Sequence, residues 1–257
     1  MATLSLNDVT LSYDGAGPVI SGLSLKIGSG EFVTVLGPSG SGKTSVLKLA
    51  AGFVAPSGGE VLLDGEKVRG PGAERAVVFQ DDALFPWLSA IENVEFALKL
   101  RGEPRRNRLP EAARVLGRLG LGGFESRKIW ELSGGQRQRV GLARALVAEP
   151  RFLLMDEPFG ALDALTRARM HEVVLGVWAR LKPGILFITH DVEEALLLGT
   201  RLVVLGAHPG RVIRDIPVSF GRNLAEGETL RSIRTTPRFT ELREEILDLV
   251  FQPRAAA

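Results

Sequence analysis

Leu4, Leu6, Val9 and Leu11 sit among polar residues in a mostly alternating pattern, which predicts a half-buried strand broken by a turn at Asn7-Asp8. Residues 23–27 and 31–36 read as two more strands, separated by Gly28-Ser29-Gly30. A glycine-rich stretch, 37–42, then opens a helix predicted to run to about residue 51, followed by short strands near 61–63 and 76–79. Beyond Gln80 the period changes to that of a helix from 90 to about 148, with interruptions at 102–106 and 120–133. Strand-like runs resume at 152–155, 186–189 and 202–205, alternating with predicted helices at 164–181 and 192–198. Phe239, Leu242, Ile246 and Leu249 recur on one face of an amphipathic C-terminal helix.

Strands that alternate with helices imply a largely parallel sheet covered on both faces. The predicted fold class is therefore α/β, with the helical block inserted into the sheet domain. No apolar run approaches the roughly 18–20 residues that span a bilayer. The stretches at 185–188 and 202–205 suit only buried strands. The first residues lack a basic stretch followed by an apolar core, so no signal peptide is expected. The expectation is a cytosolic protein whose membrane contact, if any, comes through a partner.

Composition narrows the chemistry. The 257 residues are 45% hydrophobic and 24% charged, an ordinary globular balance. Thirty-two basic against 30 acidic residues leave a net charge of +2, which gives no reason to expect nucleic acid as the main partner. With no cysteine, disulfides, thiolate metal sites and cysteine nucleophiles are excluded.

Gly37-Pro38-Ser39-Gly40-Ser41-Gly42-Lys43-Thr44 matches the phosphate-loop pattern G-x-x-x-x-G-K-S/T, and Ser45 continues into the helix. Glycines let successive backbone N–H groups turn inward toward phosphate oxygens, and the helix adds its positive end. Lys43 is placed to reach the β- and γ-phosphates of ATP, and the Thr44 hydroxyl to ligate Mg²⁺. Residues 152–155 form an apolar strand that ends in two acids, Asp156 and Glu157. The carboxyl end of a buried parallel strand faces the ligand crevice. There Asp156 can hold the Mg²⁺ shell and Glu157 can polarise an attacking water.

Leu132-Ser133-Gly134-Gly135-Gln136 resembles the signature motif of ATP-binding-cassette (ABC) ATPases. The similarity extends over roughly residues 1–220, in the family's order of phosphate loop, Gln80, signature, Asp156-Glu157 and His190. It implies a phosphate-loop parallel core, an antiparallel β-subdomain, a helical subdomain inserted at about 81–148, and a C-terminal tail helix within 221–257. Ser133, Gly134, Gly135 and Gln136 would then form a second anion site, which acts across a head-to-tail dimer on ATP held by the opposite subunit. The resemblance further implies that Tyr13 stacks on adenine, the alternative being a core tyrosine at a strand end. It assigns Gln80 to Mg²⁺ and the attacking water, Asp163 to the dimer interface and His190 to the γ-phosphate.

The segment 81–87 sets Ala83, Leu84, Phe85 and Trp87 beside Gln80. In the family this region belongs to the groove that receives a coupling helix of the transmembrane permease; the alternative is packing on the chain's own helical subdomain. Several stretches (79–94, 129–133, 159–166 and 208–212) are most similar to the nitrate, sulfonate and taurine branch of bacterial importers, and closest to taurine-type ATPases. That implies a peripheral subunit on the cytoplasmic face of the membrane. It would pair with a second copy, or a closely related ATPase subunit, and dock on permease subunits, with a periplasmic or extracellular solute-binding protein as an indirect partner. Two other classes stand beside this reading: a non-transport ABC ATPase acting on nucleic acid or ribosomes, and a phosphate-loop kinase or switch protein.

Overall fold

The computed structural model describes residues 2–13, 17–81, 83–207 and 209–251. Its strands in chain order are β1 (Thr3–Ser12), β2 (Pro18–Gly28), β3 (Phe32–Leu36), β4 (Gly58–Leu63), β5 (Glu66–Lys67), β6 (Arg75–Val78), β7 (Phe152–Asp156), β8 (Gly184–Ile188), β9 (Arg201–Gly206) and β10 (Arg211–Pro217). Its helices are α1 (Lys43–Ala51), α2 (Ala90–Leu100), α3 (Arg105–Arg118), α4 (Gly134–Val147), α5 (Ala164–Leu181), α6 (Val192–Leu198), α7 (Phe220–Ala225), α8 (Leu230–Arg234) and α9 (Pro237–Phe251).

The strands form two sheets. One is antiparallel in the order β2-β1-β4-β5. The other runs β10-β9-β3-β8-β7-β6, parallel throughout except for the β9–β10 pair. In β3, β7 and β8 every residue is buried, as expected of strands covered on both faces. Side chains alternate between two cores. Phe32, Leu153, Met155, Ile185 and Phe187 join the helices of the 90–181 region. Val33, Val35, Leu154, Leu186 and Ile188 instead pack with α1 and the antiparallel sheet.

Three expectations are corrected. Asp8 does not break the first strand: Leu6 still pairs with Leu25 and Val9 with Leu23, so the irregularity is a bulge in one continuous element. Asp8 takes φ 48° there, a left-handed conformation that aspartate tolerates better than most residues. The second strand begins at Pro18 rather than at 23, and β10 was not apparent from the alternation. Finally, α7 and α8 precede the predicted C-terminal helix. Phe220 meets Phe239 edge-on at 5.2 Å, and Phe239, Leu242 and Ile246 pack with Leu36, Leu196 and Val204 in a third core.

The order β3-β8-β7 decides where chemistry can occur. Three neighbouring parallel strands deliver the glycine loop, Thr189-His190 and Asp156-Glu157 to the same edge of the sheet. Val35 pairs with Ile188, and Ile188 with Asp156, so these segments leave the sheet at nearly the same level.

Candidate nucleotide site

The loop between β3 and α1 owes its shape to glycine, with Gly40 at φ 76°. Gly42 lies at φ 81°, and a Cβ there would approach Ile20 Cδ1 to 2.4 Å. At Gly37 a Cβ would come within 2.6 Å of Ser41 Oγ and 2.7 Å of the Leu205 carbonyl. The first turn of α1 carries neither a side-chain cap nor an acidic residue, which leaves its N-terminal N–H groups to an anion. Lys43 Nζ donates to the carbonyls of Gly37 at 2.8 Å and Pro38 at 3.0 Å, bending back over the loop. Ser41 Oγ is buried without a hydrogen-bond partner. Gly210, noted in sequence only within the importer-like stretch 208–212, closes the loop from outside: a Cβ on it would lie 2.3 Å from the Ser41 carbonyl.

The carboxylates stand at the end of β7. Asp156 is buried and hydrogen-bonds Thr44. Burial pushes its carboxyl above the ordinary aspartate range, and the Thr44 bond partly opposes that shift. Burial likewise lowers Lys43, with the negative charges of Glu157 and Asp156 opposing. Glu157 has φ 44°, an uncommon backbone for glutamate, and donates its N–H to the Ile188 carbonyl at 3.0 Å. His190 Nδ1 lies 3.1 Å from Glu157 Oε2. The phosphate loop, both acids and His190 are thus brought together by adjacent elements.

The other residues singled out lie elsewhere in the fold. Ser133 caps α4 in a reciprocal capping box: the Gln136 N–H donates to Ser133 Oγ at 3.3 Å, and the Ser133 N–H to Gln136 Oε1 at 2.8 Å. This helix packs chiefly on α2, α3 and β6. Gly134 is unobstructed, and Gly135 sits close to Leu162, where a Cβ would be 3.1 Å from Cδ2. Asp163 is exposed and caps α5, accepting the Thr166 N–H at 2.9 Å and its hydroxyl at 2.7 Å. These two bonds hold its carboxyl below the ordinary range. Gln80 is exposed just past β6. Tyr13 is 43% exposed beyond the end of β1, which removes the alternative of a core tyrosine.

The apolar segment after Gln80 divides its side chains. Leu84 is buried in the core of the helical block, and the Phe85 ring packs on Phe96 with centroids 4.8 Å apart. Trp87 remains 68% exposed. Asp82 and His208 lie outside the described residues. A groove of about 380 Å³ opens between β6 and the helical block, lined by Val77, Phe79, Phe85, Phe96, Leu100 and Arg144 among others.

A phosphate loop on the central strand, two acids on a parallel strand and a capped glycine signature on an inserted helical block define an ATP-hydrolysing nucleotide-binding cassette. The chain belongs to the ABC transporter family, which it matches over residues 20–160. It is 54% identical to a taurine import ATP-binding protein, TauB, of Pseudomonas entomophila, over 99% of this chain and 98% of that one. It is 52% identical to the protein of the same name in Sinorhizobium fredii, over 97% and 96%. Among solved structures, the ATP-binding cassette MJ0796, as a dimer in a post-hydrolysis state with ADP and Pi, superposes with TM-score 0.77 at 31% identity, covering 84% of this chain and 98% of that one. No helix among the described residues is long and apolar enough to cross a membrane.

Proposed function

We propose that this chain is the ATPase subunit of a taurine-type importer, working as a pair of subunits at the cytoplasmic face of a membrane. The observation that carries this reading is the convergence of the phosphate loop, Asp156, Glu157 and His190 at the ends of three adjacent parallel strands. The full-length similarity to taurine import ATP-binding proteins supports the cargo class.

In this reading residues 37–45 hold the phosphates of ATP. Backbone N–H groups and the start of α1 supply the positive field, and Lys43 releases the loop carbonyls to meet the β- and γ-oxygens. Thr44 and Asp156 suit Mg²⁺, an ion that takes one or two protein oxygens and completes its shell from phosphate and water. Bound there, Mg²⁺ would neutralise charge on the transferring phosphoryl group. Gln80 completes that side of the site. Glu157 accepts the proton of the attacking water, and His190, hydrogen-bonded to it, stands toward the γ-phosphate.

Tyr13 offers an exposed ring to adenine. Ser133 to Gln136 begin a helix on the inserted helical block, apart from the phosphate-loop segment of the chain, which suits an anion presented by a second subunit. Asp163, exposed beside that helix start, belongs to the same face. The apolar groove and exposed Trp87 suit an amphipathic helix of a permease, which would feel the groove change shape as Gln80 moves.

ATPase rate per subunit, measured against protein concentration, tests the composite site. The rate should rise with concentration and disappear in Glu157→Gln. A Glu157→Gln protein that stays monomeric with ATP would remove the two-subunit mechanism. Taurine uptake by proteoliposomes holding this chain with a taurine-importer permease tests the cargo. ATP-independent uptake, or none despite active ATPase, would overturn that part.

A further inference from the structure

Two groups beside the site, Glu194 and His171, have no part in the chemistry above. Glu194 lies on α6 and is 93% buried. Its Oε2 accepts the Thr189 hydroxyl, and its Oε1 lies 2.7 Å from His171 Nε2. Thr189 Oγ1 in turn accepts the N–H of Asp191 at 3.0 Å, and Asp191 Oδ1 accepts the N–H of Glu194 at 3.0 Å. These bonds close a ring around His190 that fixes the residue on either side of it.

His171 carries the ring outward. It lies on α5, the helix capped by Asp163, and its imidazole packs on Phe159 with centroids 5.3 Å apart. Phe159 follows Glu157 by two residues and packs on Phe187 of β8 at 5.5 Å. Three segments therefore meet at one joint: the turn after Glu157, the helix after Asp163 and the turn that bears His190.

Stability alone does not call for this arrangement. Asp191 already caps α6, and a buried carboxylate is costly to desolvate, so an apolar residue at 194 would serve packing as well or better. A satisfied buried polar network does what apolar packing cannot: it fixes one geometry.

We propose that Glu194 and His171 are positioning residues, which hold His190 toward Glu157 and make its placement depend on where α5 lies. This rests on the reading of Glu157 and His190 as catalytic groups. A shift of α5, whose capping Asp163 is assigned to the subunit interface, moves His171 and through Glu194 the Thr189–Asp191 turn.

The test uses the full-length chain, with kcat, KM for ATP and equilibrium ATP affinity measured side by side. His171→Phe keeps a ring on Phe159 but removes the donor to Glu194, whereas His171→Gln restores a donor. His171→Phe should lower kcat about tenfold, with KM and ATP affinity within about twofold, and His171→Gln should recover most of the loss. Glu193→Gln, which removes an ion-paired carboxylate from the outer face of the same helix, should leave kcat within about twofold. In a His190→Ala background, His171→Phe should add little, because both act through one group. If His190→Ala abolishes turnover but His171→Phe keeps the parental kcat, or loses ATP affinity in parallel with kcat, the positioning role is overturned. If His190→Ala itself turns over normally, the catalytic reading fails and takes this proposal with it.

Discussion

His190 Nδ1 and Glu157 Oε2 lie 3.1 Å apart across the ends of two neighbouring parallel strands, the His190 side chain largely exposed and Glu157 mostly covered. The Glu157 backbone is anchored to the Ile188 carbonyl, so the carboxylate of the pair is fixed to the sheet. Glu157→Gln preserves shape and the histidine contact while removing the base. Turnover should fall by ~100-fold or more, with ATP affinity nearly unchanged. Phosphate release and equilibrium nucleotide binding, measured on the same preparation, check this; a loss of binding equal to the loss of rate would count against the base.

Two glycines should respond in opposite directions to alanine. At Gly42 the backbone is left-handed and Ile20 stands where a Cβ would go, so Gly42→Ala should destabilise the fold and weaken ATP binding. Gly176, within α5, has nothing within 4 Å of its Cβ direction, and Gly176→Ala should stabilise by about 0.5–1 kcal/mol. Urea unfolding of the two variants would expose an error in either sign.

The site was legible in sequence where short segments carry their own chemistry. The glycine loop, the acid pair at the end of an apolar strand and His190 each follow a strand whose pattern is plain, and the parallel order of β3, β8 and β7 brings them together. What stayed hidden depends on approach between distant segments. Gly210 stands out in sequence only as part of the importer-like stretch 208–212, and packing alone sets it against the Ser41 carbonyl. Glu194 and His171 are 23 residues apart on different helices, and nothing local marks them as partners. The bulge at Asp8 resembled a turn because a left-handed aspartate satisfies both patterns. The helices α7 and α8 span too few residues to show a period.

Asp156 should make the unliganded protein less stable than it could be. Burial raises its folded-state pKa, so the native state holds the proton more tightly than the unfolded chain. Its stabilising effect is therefore fullest in acid and is lost as pH rises from the ordinary aspartate range through the raised value. Asp156→Asn, which keeps an oxygen for Thr44, should raise the melting temperature at neutral pH, make little difference in acid, and abolish turnover. Melting curves across pH decide it; an equal change at every pH would show that titration of Asp156 is not the cause.

The C-terminal helices should prove part of the catalytic domain's stability and not of its chemistry. Phe239 is buried against Phe220, and with Leu242 and Ile246 it packs in one core with Leu196 of α6, Val204 of β9 and Leu36, the last residue of β3. Truncating such a ring leaves a cavity that a packed core only partly fills, so Phe239→Ala should cost about 3–5 kcal/mol. Arg243, on the outer side of the same helix, pairs with Glu193 and Glu244 in solvent, and Arg243→Ala should cost far less. Both variants should keep kcat close to the parent's wherever they remain folded, because neither residue belongs to the phosphate loop, the acid pair or the His190 turn. Urea unfolding monitored by the helix signal gives the first quantity, and ATPase assays well below each melting point give the second. A Phe239→Ala protein as stable as the parent would mean that α9 is dispensable to the core, whereas a stable variant with a lost kcat would tie the tail to the reaction itself.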